Sequence, residues 1–185
     1  MTTSSTHFDI LGLPRRYHLR PEEIEERYHA AAREHHPDRH MKSDARTRVS
    51  SALHTAQLTE AYRTLKEPVR RAEYLLKLEG IVISDERSGH KVNPEFLHEI
   101  LELREGLMDA RMEGDEARIA ALGSDVRERQ ARTLADIDRG FTRYEAGENA
   151  VLREVADALV ALRYYRRFLD ELEAHEEAQL EERSS

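Results

Sequence analysis

Arg33-Glu34-His35-His36-Pro37-Asp38-Arg39-His40 is the stretch on which the reading of this chain turns, because one helix must stop there and a polar loop begin. Upstream, Pro21-Glu22-Glu23 opens a segment in which Ile24, Tyr28, Ala31 and Ala32 recur at helical spacing, so an amphipathic helix starts near Pro21. Pro37 has no amide hydrogen and drives His36 out of the helical region, which ends that helix near His35. Downstream, Arg39-His40-Met41-Lys42 is basic. Ser43-Asp44 then caps a second helix running to Lys66, with Leu58, Ala61, Tyr62 and Leu65 on one face. The tripeptide His36-Pro37-Asp38 therefore opens an exposed loop between two helices.

The rest of the composition agrees with helices. The chain has 185 residues, 39% hydrophobic and 36% charged, with only 8 Gly and 5 Pro, and its long Ala/Glu/Leu/Arg segments show no sustained alternation. An all-α fold is expected. A net charge of -8 argues against a general binder of phosphate backbones, which draws its affinity from clustered Lys and Arg. Cysteine is absent, which removes disulfides, thiolate nucleophiles and sulfur-ligated zinc or iron–sulfur sites, and a cytoplasmic setting fits best. Met1-Thr2-Thr3-Ser4-Ser5-Thr6 lacks the basic and apolar blocks of a signal peptide, and no apolar run approaches the roughly 20 residues that cross a bilayer. Neither a secreted nor a membrane chain is expected.

Taken in order, residues 7–80 read as one helical unit. His7 to Pro14 forms a short apolar turn anchored by Phe8, Leu11 and Leu13, and the connector after it buries Tyr17 and Leu19. Pro68 starts a further helix that ends at Gly80. Residues 81–93 are irregular in period and carry Gly, so they form the linker, with Ile81, Val82 and Ile83 available to pin it to a neighbour. Asn93-Pro94-Glu95 is a cap, a Pro and an acid in the order that begins a helix. From there Phe96, Leu97, Ile100, Leu101, Leu103, Leu107 and Met108 give a wide apolar face. Breaks at Gly114-Asp115 and Gly147 divide the remainder into two more helices, one carrying Ile119, Leu122, Val126, Leu134, Ile137, Phe141 and Tyr144. The other carries Val151, Val155, Leu159, Leu162, Tyr165, Phe168, Leu169 and Leu172, and residues 94–176 read as an antiparallel three-helix bundle. Residues 1–6 and 177–185 are expected to be disordered tails.

Two candidate surfaces follow. A His and an Asp held apart by a rigid Pro suit docking better than catalysis, and no Ser or Thr nucleophile with an ordered base stands nearby, so an enzyme is not expected. Arg27, His29 and Arg33, with Arg39 beyond, complement the helix dipole or present positive charge to an acidic partner. His35, His36, Asp38 and His40 could hold a metal only transiently, since Pro37 spoils one-face spacing. Glu26-x-x-His29 and Glu95-x-x-His98 have the form found in di-iron carboxylate bundles, which need four long helices and two further inward Glu. No metal or cofactor is assigned. On the helix after Pro94, Leu97 and Leu101 with Glu102, Glu105 and Asp109 are either bundle core beside a solvated face or a greasy contact ringed by carboxylates.

The helix, His-Pro-Asp loop and second helix resemble the J domain of co-chaperones that act on DnaK-type ATPase chaperones. Several phrases are similar to one J-protein family, the HscB-type co-chaperones of iron–sulfur cluster assembly: Leu11-Gly12-Leu13-Pro14 with Arg16-Tyr17-x-Leu19, Arg71-Ala72-Glu73-Tyr74-Leu75-Leu76, Leu101-Glu102-Leu103-Arg104-Glu105 and Arg167-Phe168-Leu169-Asp170. The resemblance implies a J domain, a helical hairpin with short flanking helices, followed by a three-helix bundle. It implies that the first half docks on a DnaK-type (HscA-like) ATPase chaperone and stimulates ATP hydrolysis, through His36, Pro37 and Asp38 with Arg27, Arg33 and Arg39. It implies that the bundle delivers an iron–sulfur cluster scaffold protein (IscU-like), held by Leu97, His98, Leu101, Glu102, Glu105, Asp109 and Phe168. Arg39 stands where the family usually has Lys, and His98 where it usually has an apolar residue. A generic J-domain adaptor for another client is the alternative, with a di-iron helical protein behind it.

Overall fold

Capping chemistry fixes where the first helix starts. In the computed structural model, which describes residues 5–34, 45–83 and 93–184, Thr6 precedes α1 (His7–Leu11) and its hydroxyl accepts from the Asp9 amide at 3.2 Å. The Asp9 carboxylate in return accepts from the Thr6 amide at 2.8 Å, a reciprocal box that satisfies donors the first turn leaves open. Thr6 is thus part of the fold and not of a disordered tail. The Thr6 hydroxyl also donates to Asp9 Oδ2 at 2.7 Å, and this bond, followed by the one from the Thr6 amide, lowers the Asp9 carboxyl from its ordinary value.

The chain divides into two compact units, Met1–Gly80 and Ile81–Ser185. The first contains α1, α2 (Pro21–Glu34), α3 (Ala45–Lys66) and α4 (Pro68–Leu78). Phe8, Leu11, Leu13, Tyr17, Leu19, Ile24, Leu58, Ala61, Leu65, Ala72, Leu75 and Leu76 are buried, which includes every anchor expected for α1 and its connector. α2 and α3 lie side by side, joined by a stacked Tyr28–Tyr62 pair with ring centroids 4.2 Å apart. Lys66 Nζ donates to Glu25 Oε1 at 2.8 Å and to Tyr62 Oη at 2.9 Å across the same seam, and this pairing lowers the Glu25 carboxyl and raises the Lys66 ammonium from their ordinary values.

Arg71, on α4, is 4% exposed, and it is the charged group that closes this unit. Its Nε donates to the Leu65 carbonyl at 2.6 Å and its Nη2 to the Lys66 carbonyl at 3.4 Å, satisfying acceptors that the end of α3 leaves open. Its Nη1 donates to the Tyr17 carbonyl at 2.5 Å, so one guanidinium ties the connector after α1 to the α3–α4 corner. Burial lowers its pKa from the ordinary arginine value.

The second unit holds α5 (Pro94–Glu113), α6 (Glu116–Glu145), a 3-10 turn at Asn149–Val151 and α7 (Leu152–Ser184). Contacts between the helices give the register. Glu99 pairs with Arg129, and a Cβ on Gly106 would lie 3.9 Å from Leu122, so α5 and α6 run in opposite directions. A Cβ on Gly123 would meet Leu172 and one on Gly140 would meet Val155, which makes α6 and α7 antiparallel too. Arg111 donates to Glu171 Oε1 at 3.0 Å and to its carbonyl at 2.9 Å, fixing α5 on α7. Ile100, Leu103, Leu107 and Ala110 of α5, Ile119 and Val126 of α6, and Tyr165, Phe168, Leu169 and Leu172 of α7 form one buried cluster. Phe96 meets Tyr164 and Tyr165 edge to face above it.

At Gly140 α6 comes close to α7. An added Cβ would sit 2.4 Å from Val155 Cγ2, a branched side chain with little rotamer freedom to yield. The turn after α6 is braced by Arg143, which pairs with both Glu148 and Glu154. Ile83, at the start of the unit, accepts from Arg163 at 3.2 Å through its carbonyl.

Two expectations are corrected here. Leu134 is exposed, so it does not belong to the apolar face of α6. The chain beyond residue 176 is helical as far as Ser184, because Ala, Glu, Gln and Leu favour helix and neither Gly nor Pro interrupts them. Among the described residues there is no strand, and no helix is long and apolar enough to cross a membrane.

Candidate functional site

The first candidate surface begins on α2. Its Pro21 start, acidic first turn and Arg33 in the last turn are the arrangement a helix dipole favours. Arg27 and Arg33 are both exposed, as the docking reading requires. Six residues at 3.6 per turn set them about 120° apart around the helix, so they border two sides of it rather than forming one stripe. His29 is exposed as well. His36, Pro37, Asp38 and Arg39, together with the loop expected around them, lie outside the described residues, as do His35 and His40 of the metal alternative.

The second surface is the outer side of α5, where the structure separates core residues from exposed ones. Asn93 caps the helix by accepting from the Glu95 amide at 2.9 Å, Pro94 occupies the first turn, and Gly114 ends it at a φ of 67°. Between these stops, Ile100, Leu103, Leu107 and Ala110 turn inward. Leu97 and Leu101 turn outward, 38% and 57% exposed. Glu102, Glu105, Asp109 and His98 are exposed beside them, and His98 Nε2 lies 3.3 Å from Glu102 Oε1, one helical turn on. Leu97 and Leu101 are therefore exposed apolar residues beside carboxylates and not bundle core.

Phe168 is the exception, and it is withdrawn from the exposed contact set. It is 2% exposed inside the bundle cluster, between Tyr165, Leu169 and Leu172. Its ring supports the inner side of α5 and offers a partner no surface. Helical spacing already grouped it with those three core residues, whereas the resemblance placed it at the contact.

Two more residues stand on the same outer side, Met108, which the spacing placed only on the wide apolar face, and Met112. Met108 and Met112 are 58% and 80% exposed. At 100° per residue, Leu97, Leu101, Met108 and Met112 fall within an arc of about 60°. The signal was present in their spacing of four, seven and four residues, which repeats along one side of a helix.

The Glu-x-x-His alternative fails on geometry. Glu26 and His29 are exposed on α2, Glu95 and His98 are exposed on α5, and the two pairs belong to different units. A di-iron bundle needs them turned into one core. Among the described residues no group of three or more His, Asp or Glu is placed to hold a metal ion.

Comparison with known proteins bears on both units. A model described as the DnaJ domain matches residues 6–74, and one described as the HSCB C-terminal oligomerisation domain matches residues 92–173. The co-chaperone protein HscB homolog of Ralstonia nicotianae is 37% identical over 154 residues, 81% of this chain and 86% of the relative. That of Bordetella pertussis is 37% identical over 134 residues, 71% of this chain and 77% of the relative. Chaperone HscB from Vibrio cholerae superposes with a TM-score of 0.73 at 30% identity, covering 95% of this chain and 99% of that one. Human co-chaperone protein HscB, at 24% identity and a TM-score of 0.75, covers 95% of this chain and 84% of its own and shares the fold.

Proposed function

The chain belongs to the HscB family of J-domain co-chaperones, and from that premise we propose that it couples two proteins. Its first unit docks on a DnaK-type (HscA-like) ATPase chaperone and stimulates ATP hydrolysis. Its second unit carries an iron–sulfur cluster scaffold protein (IscU-like) to that chaperone. The chain does no chemistry of its own in this scheme, and it works in the cytoplasm.

The observation that carries the proposal is the outer side of α5. Leucines at positions 97 and 101 are costly to leave in water, and the bundle is already filled from the opposite side of the same helix by Ile100, Leu103 and Leu107. A partner that covers them explains their place, and Glu102, Glu105 and Asp109 give it an electrostatic border that orients the encounter. His98 sits within this border, its Nε2 facing Glu102 Oε1. For the other end, Arg27 and Arg33 supply exposed positive charge on α2, next in sequence to His36, Pro37 and Asp38. We assign the ATPase-docking role to that tripeptide and to Arg39 on their place in the sequence.

The test is ATP turnover by a candidate chaperone, measured with this chain and with the scaffold, added singly and together. Both together should stimulate more than either alone. Asp38→Asn should abolish the stimulation while a pull-down still recovers the scaffold. Stimulation that survives Asp38→Asn would remove the docking role from that carboxylate, and a scaffold left behind in the pull-down would point to an adaptor for another client.

A further inference from the structure

We infer that the partner's footprint on α5 continues beyond Asp109 to Met112, and that the partner meets it with an apolar ridge bordered by lysine or arginine on the side of Glu102, Glu105 and Asp109. The inference rests on the reading above, that α5 receives the scaffold protein. Leu97 to Met112 is sixteen residues, fifteen helical steps or about 22 Å of helix.

Folding does not account for the two methionines. Leu107 and Ala110, their near neighbours in sequence, are fully inside the bundle, whereas Met108 and Met112 stand on the opposite side with more than half their surface in water. A solvated side of a helix is served by charged residues, as Glu105 and Asp109 serve it between them. Met is also suited to a contact, being unbranched and polarizable, so it moulds to an irregular partner surface. With Leu97 and Leu101 the methionines continue one outward stripe at constant bearing.

Charge selects the kind of occupant. Glu102, Glu105 and Asp109 all fall on one side of the stripe, about 80–140° round from Leu97. Arg104 lies on the other side, and so does Arg111, which is committed to Glu171. A second copy of this chain is a poor match. Two copies of α5 paired antiparallel set the acidic border against itself, and pairing them parallel leaves Arg104 to answer three carboxylates. A partner with basic residues beside its apolar ridge answers them directly.

The experiment is calorimetric titration of the full chain with the purified scaffold protein at low and high salt, alongside sedimentation of the chain alone. Met108→Gln with Met112→Gln keeps good helix formers at both positions, and circular dichroism checks that the fold is retained. Affinity should fall about tenfold, from two apolar side chains no longer buried. Wild-type affinity should weaken as salt rises, and Glu105→Gln with Asp109→Asn should flatten that dependence. Unchanged affinity in the methionine variant, with Leu97→Ala and Leu101→Ala still weakening binding, overturns the extension and leaves the scaffold reading standing. If neither pair matters, the scaffold reading fails and takes the inference with it. Binding that is indifferent to salt overturns the basic border, and a dimer of the chain that the methionine variant dissolves makes the stripe a self-contact.

Discussion

Replacing Arg71 by Met removes the group that joins three segments of the first unit while keeping most of the side-chain volume. The two short hydrogen bonds, to the Leu65 carbonyl at 2.6 Å and the Tyr17 carbonyl at 2.5 Å, each come from a charged donor. Such bonds are worth about 1.5–3 kcal/mol net, and the 3.4 Å contact to Lys66 adds little. Against this, the buried guanidinium carries a desolvation cost, visible in its lowered pKa, which a thioether does not have. The balance is a loss of about 3 kcal/mol, large against the 5–15 kcal/mol of a typical domain and roughly a hundredfold rise in opening. Hydrogen exchange reads this unit by unit: amides of α3 and α4 should lose protection together, while those of α6 and α7 serve as a control in the same sample. Arg71→Lys should fall between, because an ammonium is a single point and cannot fork to carbonyls on two sides. Unchanged protection of α3 and α4 in Arg71→Met would refute the assignment of Arg71 as the tie.

Other outcomes follow from the same coordinates. Phe168→Ala should cost the second unit about 3–5 kcal/mol, and any loss of scaffold binding should track loss of folded protein in denaturation curves. Gly140→Ala should destabilise by about 1–3 kcal/mol despite the better helix propensity of Ala, and adding Val155→Ala should cost less than the sum of the two changes, as a double-mutant cycle would show. His7 stacks on Tyr74, its Nδ1 is buried without a hydrogen bond, and burial lowers its pKa. The neutral ring is therefore favoured in the folded state, and its contribution is intact above the ordinary histidine value of about 6.5 and lost as pH falls below it. Thermal melts at descending pH should show this loss in the wild type and less of it in His7→Phe, which keeps a ring on Tyr74.

Helix boundaries were legible because they are written in local chemistry. Pro21, Pro68, Asn93-Pro94 and Gly114 each act within a turn of the backbone they control, and α2, α4 and α5 begin or end there. Which residues of a helix face outward is a different question, since it depends on where neighbouring helices lie. α5 carries apolar residues around more than half its circumference, so spacing alone left Leu97 and Leu101 open; α6 and α7 pack on the side of Ile100 and Leu107 and settle it. The same geometry turned Phe168 inward. Arg71 escaped notice as a structural residue because its role is to satisfy carbonyls of residues six and fifty-four positions away, a relation no periodicity encodes. The tripeptide His36-Pro37-Asp38 lies outside the described residues, and its role rests on the family and on the assay above.

The stops at both ends of α5 carry a wider implication. Asn93 and Gly114 determine its beginning and end from within the segment, and the Glu99–Arg129 and Arg111–Glu171 pairs clamp its rotation. Residues gained or lost ahead of Asn93 would leave the compass bearing of the outer stripe untouched. The length of chain leading into α5 and the make-up of its outer stripe are thus free to evolve separately, one by insertion or deletion and the other by changes of side chain.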